Sequence, residues 1–439
     1  MAENKDICLD ISEIINFSRH SNCVSGIQRV IIELAKELQE DKNVRFVFLD
    51  DKEGEWKELQ GINYSGIENL SIFNKISTSW KVLRIGWKEF LRQFKSERLL
   101  FKIRLLTRFV RNRTIRKFYD EVSVGKCLVK KAKFSDNEIL LVPSIPKDSG
   151  RFYLSIKGIN KKTKIVYFFH DIIPVSAPEF TGLADTKNFE KYIKLMDDTA
   201  SLLITSAKFN IKVYTEYVRK HTKNKIGYEI KAIGLPVQFD STYKDSDFDK
   251  ISSVGKRLIH YKYCLVVGSV GPRKNHFEII QAWRKYYESP DYNNEILVVA
   301  GAAWPSAPDI VDLLRSHICN GSVIYIESPS DQELAYLYNH CKFTICASLY
   351  EGWGLPVSES ISVGKPVVIL NSTTLPEAGY GVANVVETRN LKEMQEMIRR
   401  MFCDENYYKE SAKKVLECRK NLPTWKTFKN SIVDCCNSL

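Results

Sequence analysis

The densest group of chemistry-bearing residues in this 439-residue chain is Ser348–Glu359, SLYEGWGLPVSE. Gly352 and Gly354 remove side chains and let the backbone approach a ligand closely, while Pro356 suits the first turn of a helix. A helix tip offers unsatisfied N–H groups and a positive dipole end, so an anion sits there naturally, and a diphosphate is the obvious candidate. Glu351 stands in the loop and Glu359 eight residues on, so the two carboxylates reach different depths. Carboxylates accept hydrogen bonds from vicinal hydroxyls, which fits Glu351 for a sugar and Glu359 for a ribose. A glycosidase pair needs two carboxyls flanking the bond at about 5 Å or about 6.5 to 9.5 Å, and nothing here points to that geometry. Taken alone, the same residues also describe a glycine turn followed by a helix with exposed acids.

Three further groups sit where strands should end. Arg273 and Lys274 follow Gly271 and Pro272 in VGPRKN, beyond Ser269. Two fixed cations there can stabilise the charge that develops on a departing diphosphate; in isolation, such a turn is a solvated loop. His170 and Asp171 in YFFHDIIP close an apolar run, where His170 can contact a sugar or make a local hydrogen bond. Gly26 in SGIQRV opens an amphipathic run, either as a close-approach glycine or as a helix cap. Ser206 and the SDQEL stretch Ser330–Leu334 occupy similar loop positions.

The elements that must position these residues are legible as short β-branched runs alternating with helix-period stretches, the pattern of parallel sheets covered by helices on both faces. The first half offers strands at Ile7–Ile11, Val44–Leu49, Ile139–Val142, Ile165–Phe169 and Leu202–Thr205. The second offers Tyr263–Gly268, Ile296–Gly301, Ser322–Ile326, Phe343–Ala347 and Pro366–Leu370. A polar, Asp-rich stretch, Ser241–Lys250, separates them. The expected fold is α/β, with two Rossmann-like doubly wound domains facing a central cleft, spanning residues 1–240 and 241–415. Residues 416–439 are expected to form a C-terminal helix that crosses back to the first domain.

At Ser348–Glu359 the sequence resembles the family 4 retaining glycosyltransferases, whose signature is a Glu-x7-Glu motif around a Gly-aromatic-Gly-Leu-Pro loop. The likeness extends to Val270–Asn275, to GKPV at Gly364–Val367, and to Leu375, Pro376 and Glu377. The resemblance implies a GT-B fold and retaining, metal-independent transfer of a hexose from a nucleotide sugar, with a C-terminal tail including Trp425 crossing back to the first domain. It implies catalytic roles for His170, Glu351, Arg273 and Lys274. Donor contacts would come from Gly26, Asp171, Ser269, Gly352, Trp353, Gly354, Leu355 and Glu359. HDIIP looks most like bacterial mannosyltransferases of surface polysaccharide assembly, so the implied donor is GDP-mannose, with UDP sugars open. The acceptor would be a glycan or a lipid-linked glycan, and no further cofactor is implied.

Composition narrows the alternatives. Hydrophobic residues at 44% and charged residues at 27% fit a globular protein. No apolar run suits a signal peptide or a membrane span, so a cytoplasmic location is expected. Eleven cysteines without a CxxC pair signal neither disulfides nor zinc. No Walker loop and no GxGxxG follows a first strand, which disfavours an ATPase or a dehydrogenase. Asp245–Ser246–Asp247 spells a metal-binding triplet, but it lies in the polar linker with no strand before it, so no metal site is expected. Residues 81–120 hold thirteen Lys or Arg against three Asp or Glu, a large part of the net charge of +12. With aromatic residues at helical spacing, a basic helical insert near 81–124 suits peripheral contact with an anionic membrane or packing on the first domain. It also leaves open a non-catalytic membrane- or RNA-binding scaffold, although no aromatic-rich motif for nucleic acid accompanies it and no nucleic acid is expected.

Overall fold

The structure, a computed structural model, describes residues 5–18, 26–50, 54–64, 121–124, 127–144, 149–159, 161–222, 226–237, 249–304, 307–316 and 318–439. Most of the basic segment, at 81–120, lies outside the described residues, as do 241–248 of the linker and the Asp245–Ser246–Asp247 triplet.

Nine strands form the first sheet: β1 (Ile7–Asp10), β2 (Val44–Asp50), β3 (Glu55–Gln60), β4 (Glu121–Val124), β5 (Cys127–Lys131), β6 (Ile139–Val142), β7 (Lys164–Phe169), β8 (Leu202–Thr205) and β9 (Glu229–Ala232). Six form the second: β10 (Tyr263–Val267), β11 (Ile296–Gly301), β12 (Val323–Glu327), β13 (Phe343–Cys346), β14 (Val367–Leu370) and β15 (Asn384–Val386). The second sheet runs β12-β11-β10-β13-β14-β15, all parallel, so strand order reverses between β10 and β13. Such a reversal opens a crevice beyond the strands' carboxyl ends.

Both faces of each sheet are covered, which is why the strands read as continuous apolar runs. Along β10, Cys264 and Val266 enter one apolar cluster while Tyr263 and Leu265 enter the opposite one. Along β1, Ile7 and Leu9 face one side and Cys8 the other. One cluster is continuous between the halves, joining Phe168 and Leu235 to Trp353, Ile345 and Val299.

The first sheet departs from the expected pattern at one edge. From β2 outward, β3, β5 and β4 are antiparallel. Residues 121–124 fall within the run read as helical, yet they pair as a strand, with Val124 opposite Cys127. Gly125 ends helical propensity there, and the β-branched Val122 and Val124 suit a ladder. Strand β3, EWKELQ, carries charges at buried positions and so hides from pattern reading. Glu58, 3% exposed, is matched by Arg45 at 2.8 Å and Lys130 at 3.2 Å from the neighbouring strands. Arg45 also pairs with Glu138.

The last helix, Trp425–Asn437, opens on a capping box between Thr424 and Thr427 and packs against the first half. Phe428, 1% exposed, stands edge-on to Phe168 at 5.8 Å and to Trp425 at 5.7 Å. Lys429 pairs with Asp41 at 3.1 Å, and Asn437 accepts from the amide of Lys5 at 3.1 Å. Phe428→Ala should empty that socket and lower unfolding stability by about 3 kcal/mol, read from urea unfolding; a change under about 1 kcal/mol would contradict this packing account.

Candidate active site

The ends of β7, β8, β10 and β13 converge on one cleft of about 460 Å³ between the two sheets. From the first half it is lined by Gly26, Arg29, His170, Asp171 and Ser206, and from the second by Ser269, Arg273, Lys274, Glu351, Gly352, Trp353, Gly354, Leu355 and Glu359. The structure therefore brings every sequence-singled residue of the site to one place.

At its centre is a carboxylate with two cations. Glu351 is buried, its Oε2 lies 2.8 Å from Arg273 Nη1, and its Oε1 lies 2.5 Å from Lys274 Nζ. Burial alone would raise the Glu351 pKa, but Lys274 and Arg273 together outweigh it and hold the pKa at about 2, against an ordinary 4.5. The loops are fitted to this cluster. Asn275 adopts a left-handed conformation, φ +60°, and ends the single turn Pro272–Lys274. The amide of Leu349 donates to the Arg273 carbonyl at 2.9 Å, which ties the two loops together. Arg273 also donates to the Tyr350 carbonyl at 2.7 Å.

Beyond the cluster, Gly354 takes φ +105°, a conformation that favours glycine, and starts the helix Leu355–Ser362. Among the described residues no acceptor meets the amides of Gly354 and Leu355, so this tip can bind an anion. Thr374 Oγ1 donates to the carbonyls of Glu351 and Trp353 at 3.1 and 2.9 Å, and Thr373 Oγ1 accepts from the Glu351 amide at 3.1 Å. These threonines were missed in the sequence, although they precede the noted Leu375, Pro376 and Glu377. Deeper along the helix, Glu359 accepts from the Tyr338 hydroxyl at 2.8 Å. Burial raises the Glu359 pKa, opposed by Tyr338, Arg29 and Lys274.

Across the cleft, His170 Nε2 donates to the Pro143 carbonyl at 3.1 Å, because that oxygen can only accept. Burial lowers the imidazole pKa to about 4, only partly offset by this bond, so the ring is neutral at pH 7 and Nδ1 is its acceptor. Asp171 Oδ1 accepts from the Ile173 amide at 2.9 Å, and burial raises its pKa. A side chain at Gly352 would place its Cβ 2.8 Å from the His170 carbonyl and 2.9 Å from Asp171 Oδ2, so glycine is needed for the halves to meet. Trp353 packs on Gly234 and donates through Nε1 to Ser358 at 3.0 Å. Arg29 faces the cleft and pairs with Asp331 of the other half at 3.5 Å.

Residues 248–417 match the family described as Glycosyl transferases group 1. That match lies in the second half and covers less than half of the chain. The chain is 27% identical over 241 residues, 54% of its length, to the O-antigen chain mannosyltransferase B of Escherichia coli, and the match spans 60% of that protein. It is 25% identical over 209 residues, 46% of its length, to the serotype-specific mannosyltransferase WbdA of Escherichia coli, covering 25% of that protein. Each match thus spans less than two thirds of the relative's length. Among solved structures, Anabaena HepE in complex with UDP and glucose aligns over 99% of this chain and 100% of its own, with TM-score 0.61 at 16% identity. The trehalose-phosphate synthase of Burkholderia xenovorans aligns over 69% and 73%, with TM-score 0.55 at 15% identity. These likenesses establish the fold, two α/β domains in the GT-B arrangement, the second sheet parallel throughout and the first parallel except at its β3-β5-β4 edge.

The Glu351 pKa carries a linkage. Because the folded value of about 2 lies below the unfolded one of about 4.5, the unfolded state binds more protons between them. The stabilisation is therefore complete above about pH 4.5 and lost as pH falls toward 2. Glu351→Gln should be less stable than the parent by about 3 kcal/mol at pH 7, a difference that shrinks between pH 4.5 and 2 in urea unfolding. A gap independent of pH would remove the ion-cluster account.

Proposed function

We propose that this chain is a retaining, metal-independent hexosyltransferase that moves mannose from GDP-mannose to a hydroxyl of a glycan or lipid-linked acceptor in bacterial surface polysaccharide synthesis. The observation that carries this reading is the cluster of one carboxylate and two cations beside the Gly354 helix tip, opposite His170. The mannosyltransferase relatives support the sugar and the O-antigen role. A UDP-sugar donor is the second reading, supported by HepE, whose fold is shared and which binds UDP and glucose.

In this mechanism the donor diphosphate lies along the amides of Gly354 and Leu355 and takes Arg273 and Lys274 as counter-charges. It competes with Glu351 for those cations. The carboxylate so released accepts hydrogen bonds from sugar hydroxyls, and neutral His170 accepts another through Nδ1. Glu359 holds the ribose, with Asp171 as support to the His170 loop. The bond from the anomeric carbon to the phosphate oxygen breaks, and the acceptor hydroxyl forms its bond on the same face. Its proton passes to the departing phosphate oxygen, so configuration is retained without a protein nucleophile. The two cations stabilise the charge that accumulates on the leaving group and so lower the barrier to its departure.

The enzyme would work on the cytoplasmic side, with its basic segment drawing it to an anionic membrane where a lipid-linked acceptor resides. Among the described residues no helix is long and apolar enough to cross a membrane.

Nucleoside diphosphates tested for thermal stabilisation in the presence of EDTA decide between donors: GDP should raise Tm most, UDP dominance would replace the first reading with the second, and stabilisation by neither would overturn both. Lys274→Ala should lower turnover by about 10² to 10³ while the far-UV circular dichroism is unchanged, and undiminished turnover would strip the lysine of its role.

A further inference from the structure

Several contacts between the two halves converge on the first turn of the helix Lys208–His221. Its N-cap residue, Ala207, has no side chain to receive the turn's free amides, and the acceptor comes from the opposite half. Glu377 accepts from the amides of Lys208 at 2.8 Å and Phe209 at 2.9 Å, a carboxylate at the positive end of the helix dipole. The next residue, Asn210, is 2% exposed. Its Nδ2 donates to the His170 carbonyl at 3.0 Å and to the Gly352 carbonyl at 2.8 Å, one from each half. Thr205 and Ser206 hydroxyls lie farther, at 3.2 Å, so the two amide hydrogens go to the carbonyls. Because both acceptors are carbonyls, the orientation of this amide is chemically determined. Ser206 Oγ adds a further donor to the Gly352 carbonyl at 2.8 Å.

We infer that Asn210 is a positioning residue for sugar transfer: its amide braces the His170 carbonyl to the Gly352 carbonyl and so fixes the span between His170 and Glu351, while Glu377 docks the helix that presents it. Asn210 does not line the cleft, so it acts through the residues it holds rather than on the donor. The kinetic part of this inference rests on the glycosyl-transfer reading, and the structural part does not.

Asn210→Asp keeps the volume and replaces the NH2 that donates both hydrogens with one oxygen facing the two carbonyls. Turnover should fall about ten- to a hundredfold, while the Kd for GDP or UDP stays within about threefold. Hydrogen exchange should accelerate in a peptide spanning residues 349–357, which belongs to the other half and which a merely local role would leave unchanged. Parent-like turnover with parent-like exchange at 349–357 would overturn the inference. If the parent protein transfers no sugar, the transfer reading falls and the exchange comparison alone decides the brace. Should Asn210→Asp fail to fold, Glu377→Gln applies the same readouts to the docking of the helix, with faster exchange at 349–357 supporting the brace and no change opposing it.

Discussion

A carboxylate as deeply placed as Glu351 remains an anion only because two cations meet it, and the local architecture of the second half is arranged to bring them there. Its desolvation is a cost that neither Arg273 nor Lys274 is asked to offset alone. Delivering both requires two loops at the ends of β10 and β13, the adjacent strands at which sheet order reverses. Gly268 matters for the same reason, since a Cβ there would come within 3.1 Å of Lys274 Cε. The loop carrying Glu351 is in turn buttressed by Thr373 and Thr374. The ion cluster and the free helix tip are consequences of one backbone course.

The second half does not complete this site alone. Gly352 touches the His170 backbone, Trp353 lies on Gly234, and Tyr350 accepts from Ser176 while its ring meets Phe209. The contacts are mostly polar or involve small residues, in contrast to the aromatic packing of the last helix against Phe168. The chain is therefore tied twice, by apolar burial at its end and by directional hydrogen bonds around the cleft. Only the second tie is sensitive to the placement of individual donors.

How far this was legible follows from what each segment buries. The runs YCLVV, ILVVAG and VVIL announce strands because both faces are covered, and their extents in the sheet differ from the sequence reading by about a residue. Strand β3 does not announce itself, since Lys57 and Glu58 look solvent-facing until the cross-strand pairing of Glu58 with Arg45 and Lys130 and the pairing of Lys57 with Glu55 are known. Likewise β9, EIKA, is only half covered and resembles a helix fragment. In the site, glycines and charged pairs mark Glu351, Arg273 and Lys274, but the ion pair of Lys274 with Glu351 joins residues 77 positions apart, that of Arg273 lies one position farther, and neither has a local signature. Asn210 has none at all, being a polar residue in an otherwise ordinary amphipathic helix.

The titrating groups of the cleft bear on the proposed chemistry more than any single contact. Glu351, at a pKa of about 2, and His170, at about 4, are weak bases at neutral pH. Asp171 and Glu359 are shifted upward by burial, but each is engaged: Asp171 receives the Ile173 amide and abuts Gly352, and Glu359 receives the Tyr338 hydroxyl. A mechanism that required a protein base to strip the acceptor hydroxyl would have to disrupt one of these arrangements first. A mechanism in which the departing phosphate oxygen takes that proton asks only for what the cleft already holds, two cations to stabilise the leaving group and neutral or anionic acceptors to orient hydroxyls. On that argument the two depressed pKa values, Glu351 kept anionic by its cations and His170 kept neutral by burial, suit groups that orient hydroxyls rather than take their protons.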